Sequence, residues 1–325
     1  MKLALLGYGF MGGAHLAAMQ RIEDVEVAAV ATRTRPSADA PAKGNLDLKS
    51  GPLPDSVRWV SDWREILADP SIDAVDVCLP TDLHREVVLA ALHAGKHVLC
   101  EKPMALTFHD CRAMMLAAQG AGLTFMVGQV LRFMFPYQHA ADFVQQHFAG
   151  LSRCVLQRST GYPQWGGWLA DAARSGGAIL DLLSHDLDQA LRLFGVPSTV
   201  VATSLGEVDT ARCLLRYPGG LEVVVEGGWF TPEVEFSASF EFHAGAHSLV
   251  FREGVLRETN AGAERVVDQP EQDAYFDEVA YFVDCCRRGV QPDLCPPAAS
   301  ADAVHLSNLL KASREANGRE LPWRS

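Results

Sequence analysis

Three short stretches hold residues whose types and spacing could do chemistry. In VLCEKPMAL (98–106), Glu101, Lys102 and Pro103 follow directly on an apolar run that reads as a strand, so a carboxylate and an ammonium stand where a buried strand surfaces. A surface salt bridge followed by a turn proline gives the same pattern. In SGGAILDLLSHDLD (175–188), Asp181, His185, Asp188 and, further on, Arg192 recur at helical spacing, beside a stripe of Ile179, Leu180, Leu183, Leu187, Ala190, Leu191 and Phe194. An imidazole on such a face can take and return a proton near neutral pH. On spacing alone, however, the face reads as a solvated one, with an Asp188–Arg192 pair contributing only about 0.2–0.5 kcal/mol.

The third stretch, LLGYGFMGG (5–13), has the GxGxxG spacing through Gly7, Gly9 and Gly12. Gly7 permits the tight turn, Gly9 lets a pyrophosphate approach the backbone, and Gly12 lets a helix pack close to a strand. The amides at the helix start, around Phe10 and Met11, then face the phosphates. Glycine-rich turns also serve packing alone, so the context decides. Here it is the required one, with KLALL (2–6) as a strand before the turn, a helix at 15–21 after it, and VEVAAVA (25–31) as the next strand. This is a βαβ unit of about 30 residues.

The elements that must position these residues alternate. VRWV (57–60), DAVDVCL (73–79), HVLC (97–100) and LTFMVG (123–128) read as strands, with helices over DWREILA opened by Asp62, over 84–95 stopped by Gly95, and from Thr107 to near Gly120. Strands that are apolar on both faces and alternate with helices predict a parallel doubly wound sheet. After about residue 130 the rhythm changes to closely spaced strands at 153–159, 199–205, 211–217, 221–230, 237–243 and 247–253, with turn signals at Pro218-Gly219-Gly220 and Ala244-Gly245. Hairpins in a largely antiparallel open sheet follow, with helices at 179–194, 275–288 and 300–317. The fold class is therefore α/β, with a first domain over 1–129 and an α+β second domain over 130–325. Residues 32–56, with four prolines and little periodicity, read as a loop or insertion.

Gross composition excludes several functions. A chain of 325 residues, 48% hydrophobic, exceeds the size at which single cores usually stop growing. The 40 acidic and 28 basic side chains give a net charge of -12, with no basic block to neutralise phosphates or an anionic bilayer, so neither nucleic acid nor membrane is an expected partner. The eight cysteines include no CxxC pair and no histidine at zinc-ligand spacing, which predicts no metal site and a reducing, cytoplasmic setting. MKLALLGYGFMGGAHLAAM resembles a signal peptide in its lysine, apolar run and small residues, but the three glycines of the turn and the strand beyond them argue for a folded βαβ unit.

At the end of the second strand, an acidic residue would bind the ribose hydroxyls of NAD; the chain has Ala31-Thr32-Arg33-Thr34-Arg35 instead. An arginine there suits a 2′-phosphate, unless Arg33 and Arg35 are only solvated loop charges, and NADP(H) is favoured slightly over NAD(H).

GYGFMG (7–12), PTDLH (80–84), EKP (101–103) and SGGAILDLLSHDLD (175–188) together make the chain resemble the Gfo/Idh/MocA family, the glucose-fructose oxidoreductase and inositol dehydrogenase group. The motifs carry the resemblance to about residue 195; beyond that it is one of layout. The resemblance implies a Rossmann first domain and reversible hydride transfer between the cofactor and a secondary alcohol or ketone of a sugar, polyol or related small molecule. It implies cofactor contacts from Gly7, Gly9, Phe10, Met11, Gly12, Thr32, Arg33, Pro80, Thr81, His84, Glu101 and Lys102. It makes Lys102, Asp181 and His185 catalytic: Lys102 stabilises negative charge on the reacting oxygen, His185 is the general acid/base, and Asp181 orients it or binds a neighbouring hydroxyl. Substrate contacts are expected from these three with Gln129, Trp165 and Trp168, the tryptophans as apolar walls for a sugar ring or, equally, as interface residues. The resemblance further implies a cis Lys102–Pro103 bond and a homodimer or homotetramer joined through the second domain's sheet. The apolar content of LEVVVEGGWF (221–230) points the same way. Two other functions fit the fold: redox-neutral glycoside cleavage with NAD, and a non-catalytic dinucleotide sensor, against which the retained Lys102, Asp181 and His185 argue.

Overall fold

The computed structural model describes residues 1–35, 44, 53–164, 167–206 and 208–324. Its contacts divide the chain into two units, Met1–Val130 with Asp273–Ala301, and Leu131–Gln272 with Asp302–Ser325. The first change of unit falls where the strand rhythm changes. Sequence order hid the second, because the segment 273–301, expected in the second domain, belongs to the first unit.

The first unit contains, in chain order, β1 (Lys2–Leu6), α1 (Phe10–Met19), β2 (Glu26–Ala31), β3 (Arg58–Val60), α2 (Trp63–Leu67), β4 (Ala74–Val77), α3 (Thr81–His93), β5 (His97–Glu101), α4 (Phe108–Ala121) and β6 (Phe125–Gly128). The second continues with α5 (Phe135–His147), β7 (Leu151–Gly161), α6 (Ala172–Ser175), α7 (Ala178–Asp181), α8 (Ser184–Phe194) and β8 (Thr199–Thr203). After these come β9 (Asp209–Arg216), β10 (Glu222–Phe230), β11 (Ser237–Ala244), β12 (His247–Arg252), β13 (Val255–Asn260) and β14 (Ala263–Val266). Then come α9 (Ala274–Arg288) in the first unit, α10 (Pro297–Glu315) and β15 (Leu321–Pro322).

Among the described residues the first unit's sheet has six strands in the order β3-β2-β1-β4-β5-β6, every pair parallel. Leu3, Leu5 and Leu6 of β1 are fully buried, as both faces of a parallel sheet require, and each contributes about 1.5–3 kcal/mol. The order reverses between β1 and β4, and at such a switch point the strand ends leave a crevice. Local signals set the helices on this frame. The Asp62 side chain accepts from Arg64 N to cap α2, Thr107 accepts from Asp110 N to cap α4, and Gly122 closes α4 in the left-handed conformation.

The second unit's sheet runs β14-β13-β12-β11-β7-β10-β9-β8-β15 among the described residues, with β7 and β10 parallel and the other pairs antiparallel. One face is buried, through Val223, Val225 and Trp229 of β10 and Cys213 and Leu215 of β9. The other is mixed rather than apolar. Half-exposed Val224, Leu214 and Val201 lie among the ion pairs Arg212–Glu226, Arg216–Glu222 and Arg153–Glu241. The apolar surplus read from LEVVVEGGWF is thus taken up inside the unit by alternation, and that argument for an oligomer interface falls away.

Candidate active site

In the first unit the three motif glycines have three different surroundings. A Cβ on Gly7, whose φ is +101°, would lie 2.3 Å from the Cys78 carbonyl oxygen, where the ends of β1 and β4 meet. One on Gly12 would lie 2.2 Å from the Gly7 oxygen, because α1 is pressed against its own turn. One on Gly9 meets nothing within 4 Å among the described residues. Gly9 is exposed and precedes the ten-residue α1, with no side chain capping the helix start. Two of the glycines are therefore required by packing and the third by nothing among the described residues. A bare Cα beside uncapped helix amides fits an anionic group seated against the turn, and hence the diphosphate of a dinucleotide. Phe10 and Met11, half-exposed, form the first turn of α1.

Beyond β2, Thr32 is half-exposed and its carbonyl accepts from Trp59 Nε1 at 3.0 Å, while Arg33 is exposed. At the end of β4, Pro80 precedes α3, with Thr81 buried in its first turn. His84 is buried, with Nδ1 2.9 Å from the Pro103 oxygen and Nε2 2.8 Å from the Leu79 oxygen. Burial pushes its pKa below the ordinary histidine value against the pull of these carbonyls. A neutral ring donates to one of them, so His84 ties the loop after β5 to the start of α3; its side chain is turned to the backbone.

That loop begins with Glu101 and half-exposed Lys102, and the Lys102–Pro103 peptide bond is cis. Glu101 Oε2 accepts the Lys102 backbone N–H at 2.9 Å, and its Oε1 lies 3.2 Å from His15 Nε2. Burial alone would raise the Glu101 carboxyl, but His15 and the Lys102 charge and amide outweigh it and hold the pKa below the usual carboxylate range. Gln129 is 3% exposed and donates to Ser300 Oγ at 3.3 Å, so its side chain is engaged inside the first unit.

In the second unit, the helix expected over 179–194 is two, α7 and α8, separated at Leu182 and Leu183. Its start is fixed by Gly176 and Gly177, both at positive φ. A Cβ on Gly176 would lie 2.3 Å from the Leu180 side chain, and one on Gly177 2.7 Å from Asp209 Oδ2. Asp209 accepts the Ala178 N–H at 2.7 Å and is held by Arg314 at 2.6 Å. The polar stripe divides. Asp188, read as one end of a solvated pair with Arg192, is 1% exposed and bound bidentately by Arg132 at 2.6 and 2.9 Å. Asp186 is fully buried and held by Arg158 at 2.7 and 3.2 Å; Arg158 also donates to the Tyr137 hydroxyl, whose pKa burial pushes up to about 12. Asp181 and His185 stay half-exposed, one turn apart. Trp168 packs on a cluster of Leu169, Ala178, Leu182 and Trp229; Trp165 lies outside the described residues.

Sequence reasoning missed the buried partners: His15, Asp76, Glu278, Asp209 and the two arginine–aspartate pairs. Asp76, a charge flanked by Val75 and Val77 inside DAVDVCL, was a readable sign, since a buried carboxylate requires a partner.

The parallel sheet with its glycine turn at the switch point has the form of a dinucleotide-binding Rossmann domain, and a sheet-based second unit accompanies it. The chain belongs to the Gfo/Idh/MocA family: residues 1–129 match the model of the oxidoreductase family with NAD-binding Rossmann fold, and residues 137–249 match the GFO/IDH/MocA C-terminal domain. It is 34% identical over 205 residues to 1,5-anhydro-D-fructose reductase of Ensifer adhaerens, covering 59% of this chain and 61% of that one. It is 30% identical over 217 residues to levoglucosan dehydrogenase of Pseudarthrobacter phenanthrenivorans, covering 62% of this chain and 53% of that one. These alignments thus span less than two thirds of the relatives' own lengths. A levoglucosan dehydrogenase solved with NADH and levoglucosan shares the fold over 100% of both chains, at a TM-score of 0.82 and 20% identity.

Proposed function

We propose that the protein is an NAD(P)-dependent oxidoreductase that interconverts a secondary alcohol and a ketone on a sugar, polyol or related small molecule. The observation that carries this reading is the exposure pattern of α7 and α8. Asp186 and Asp188 are buried and clamped by arginines, while Asp181 and His185 remain accessible one turn apart. A merely solvated face has no reason to be held so firmly from behind. The names of the relatives, which act on anhydrosugars, support the substrate class.

When bound, the nicotinamide supplies the hydride acceptor or donor. The residues that would hold the dinucleotide are Gly7, Gly9, Phe10, Met11 and Gly12 at the diphosphate, Thr32 and Arg33 at the adenosine end, and Pro80, Thr81 and Glu101 along the strand ends. Arg33, exposed just past β2 where no acidic residue stands, favours NADP(H). Lys102 directs its ammonium to the reacting oxygen and stabilises the negative charge that develops there. His185 takes the hydroxyl proton in oxidation and returns it in reduction, and Asp181 orients the imidazole or binds an adjacent hydroxyl. Trp168 lines the sugar face. A homodimer or homotetramer joined through the second unit's sheet is part of this proposal; it is supported by the family resemblance, and the sheet's mixed face, where Val201, Leu214 and Val224 lie among ion pairs, is where it would form.

Incubation with NADP⁺ or NAD⁺ and a panel of polyols and anhydrosugars, followed by absorbance of the reduced cofactor, tests the reading. Reduction by any panel member is expected. Tight dinucleotide binding without turnover of any of them refutes it in favour of a sensor.

A further inference from the structure

Behind Lys102 lies a group of ionisable side chains that the roles above do not use. His15 of α1, Asp76 of β4 and Glu278 of α9 are each 0% exposed. His15 Nδ1 lies 2.7 Å from Asp76 Oδ2; its Nε2 lies 3.2 Å from Glu101 Oε1 and 3.9 Å from Glu278 Oε2. Cys78 closes the group, its sulfur 3.6 Å from His15 Nδ1 and 3.5 Å from Asp76 Oδ1. Among the described residues neither carboxyl oxygen of Glu278 has a hydrogen-bond partner, although both are buried. His15, Asp76 and Glu278 come from elements far apart in sequence, and α9 reaches the others only because the segment 273–301 belongs to the first unit.

We propose that His15 is a positioning residue for Lys102, acting through Glu101, and that Glu278 completes its enclosure as a neutral acid. This rests on the reading that Lys102 meets the substrate. A neutral imidazole between Asp76 and Glu101 donates to one of them and turns a lone pair on the other; the doubly protonated ring donates to both. Glu101, so held, accepts the Lys102 main-chain N–H and fixes the backbone from which the lysine side chain leaves β5. Charge balance then determines Glu278. His15 and Lys102 offset Asp76 and Glu101, and a third buried carboxylate has no counter-ion, so Glu278 keeps its proton. The titration directions agree. Burial opposes the His15 charge, but the Asp76 charge and hydrogen bond outweigh it and raise the pKa well above the ordinary value. Burial, then the Glu101 charge, raises Glu278 well above the carboxylate range. The remaining ionisable groups facing the cluster, the Cys78 and Cys100 thiols, are pushed up by burial and stay neutral.

Three measurements test this. In the wild-type protein, the His15 ring resonances are expected to show protons on both nitrogens from about pH 6 to 8, where a free histidine titrates. The Lys102 amide is expected to exchange with solvent slowly, and His15→Gln, which spans the gap without a charge, to speed that exchange at least about tenfold. In turnover, His15→Gln is expected to lower kcat about 10- to 100-fold, the effect of displacing a reacting group by ~1 Å, with the cofactor KM unchanged. The acid limb of the rate profile moves to higher pH, because Glu101 loses the charge that keeps it ionised. Glu278→Ala lowers kcat less, and Glu278→Gln, isosteric with the neutral acid, restores it. A neutral His15 at neutral pH, unchanged Lys102 exchange in His15→Gln, or a stoichiometric metal ion bound through His15 overturns the inference. If the ring and exchange results hold while no alcohol is oxidised, the oxidoreductase reading has failed and the positioning of Lys102 stands.

Discussion

Gly9→Val separates binding from folding, because the structure gives the two neighbouring glycines opposite environments. At φ −90° and ψ −159°, Gly9 is in extended backbone that valine adopts, and a Cβ there meets nothing within 4 Å among the described residues. Replacing glycine before a helix costs about 0.5–1 kcal/mol, and the lower entropy of the unfolded chain returns about 0.4–1 kcal/mol. The net change lies within ~1 kcal/mol, and Tm is expected to move by no more than about 4 °C. A diphosphate packed on the bare Cα has no such freedom. Pushed off the helix start, it loses one or two charge-assisted hydrogen bonds of about 1.5–3 kcal/mol each, so ~3 kcal/mol, or about 100-fold in Kd, is the expected loss. Gly12→Ala is the contrast. Its Cβ would sit 2.2 Å from the Gly7 carbonyl oxygen and 3.1 Å from its carbon, both backbone atoms. Relief there means opening the turn, at about 1–3 kcal/mol or more. Fluorescence titration with reduced cofactor and a thermal melt of the three proteins give the result. Wild-type affinity in Gly9→Val, or a melt as low as that of Gly12→Ala, refutes the reasoning.

His185→Asn keeps bulk but not the titratable proton acceptor. Cofactor affinity should survive while kcat falls about 10²- to 10⁴-fold; a rate within a few-fold of wild type would show that the half-exposed face is only solvated. Arg33→Asp should move preference from NADP toward NAD, checked by the ratio of the two dissociation constants; an unchanged ratio removes the 2′-phosphate assignment. Asp186→Asn leaves Arg158 charged in the interior and should cost about 3–5 kcal/mol in urea unfolding, whereas Arg212→Ala, on the open sheet face, should cost under about 1 kcal/mol; equal costs contradict the burial argument. The folded-state pKa of Glu278 is raised above its unfolded value near 4.5, so its contribution to stability is whole below that value and is lost as pH rises through the raised one. The stability of Glu278→Gln relative to wild type should therefore grow with pH from about 4.5 upward, and a flat difference would mean the group titrates alike in the folded and unfolded protein, with no raised pKa.

What was legible in the sequence was what short-range physics determines. Apolar strands alternating with helices predicted the six-strand parallel sheet, Asp62 and Thr107 marked helix starts, and Ala244-Gly245 marked the β11–β12 hairpin. The mixed sheet was anticipated with its outer strands β13, β14 and β15 missing, since VLRETN and AERV carry little apolar alternation. Helix α5 was missed because FPYQHAADFVQQH shows polar residues on nearly every turn and its start has no side-chain cap. The phase of α8 was readable, but phase does not say how many faces are buried. Asp188 is as inaccessible as the leucines beside it because Arg132 meets it there.

The residues that escaped the sequence share a physical character. Asp76 and His15 are 61 residues apart, and Asp209 and Arg314 are 105 apart; each is an ion pair whose two halves look unremarkable until the chain is folded. Such pairs add little net stability, because desolvation offsets most of the attraction, and an apolar pair of the same volume often serves the fold as well. What a bidentate or bridging pair provides is direction. Each of them adjoins an accessible ionisable side chain. Glu101 holds the main chain of Lys102, Asp209 caps the helix that ends at Asp181, and Asp186, clamped by Arg158, follows His185 directly. Apolar packing is non-directional and lets a helix end or strand end shift by a fraction of an ångström at small cost. On the proposed roles of Lys102, Asp181 and His185, a chain that presents them at fixed positions has reason to keep costly buried charges beside them, and the places where local pattern misleads are the places where this chain is held most firmly.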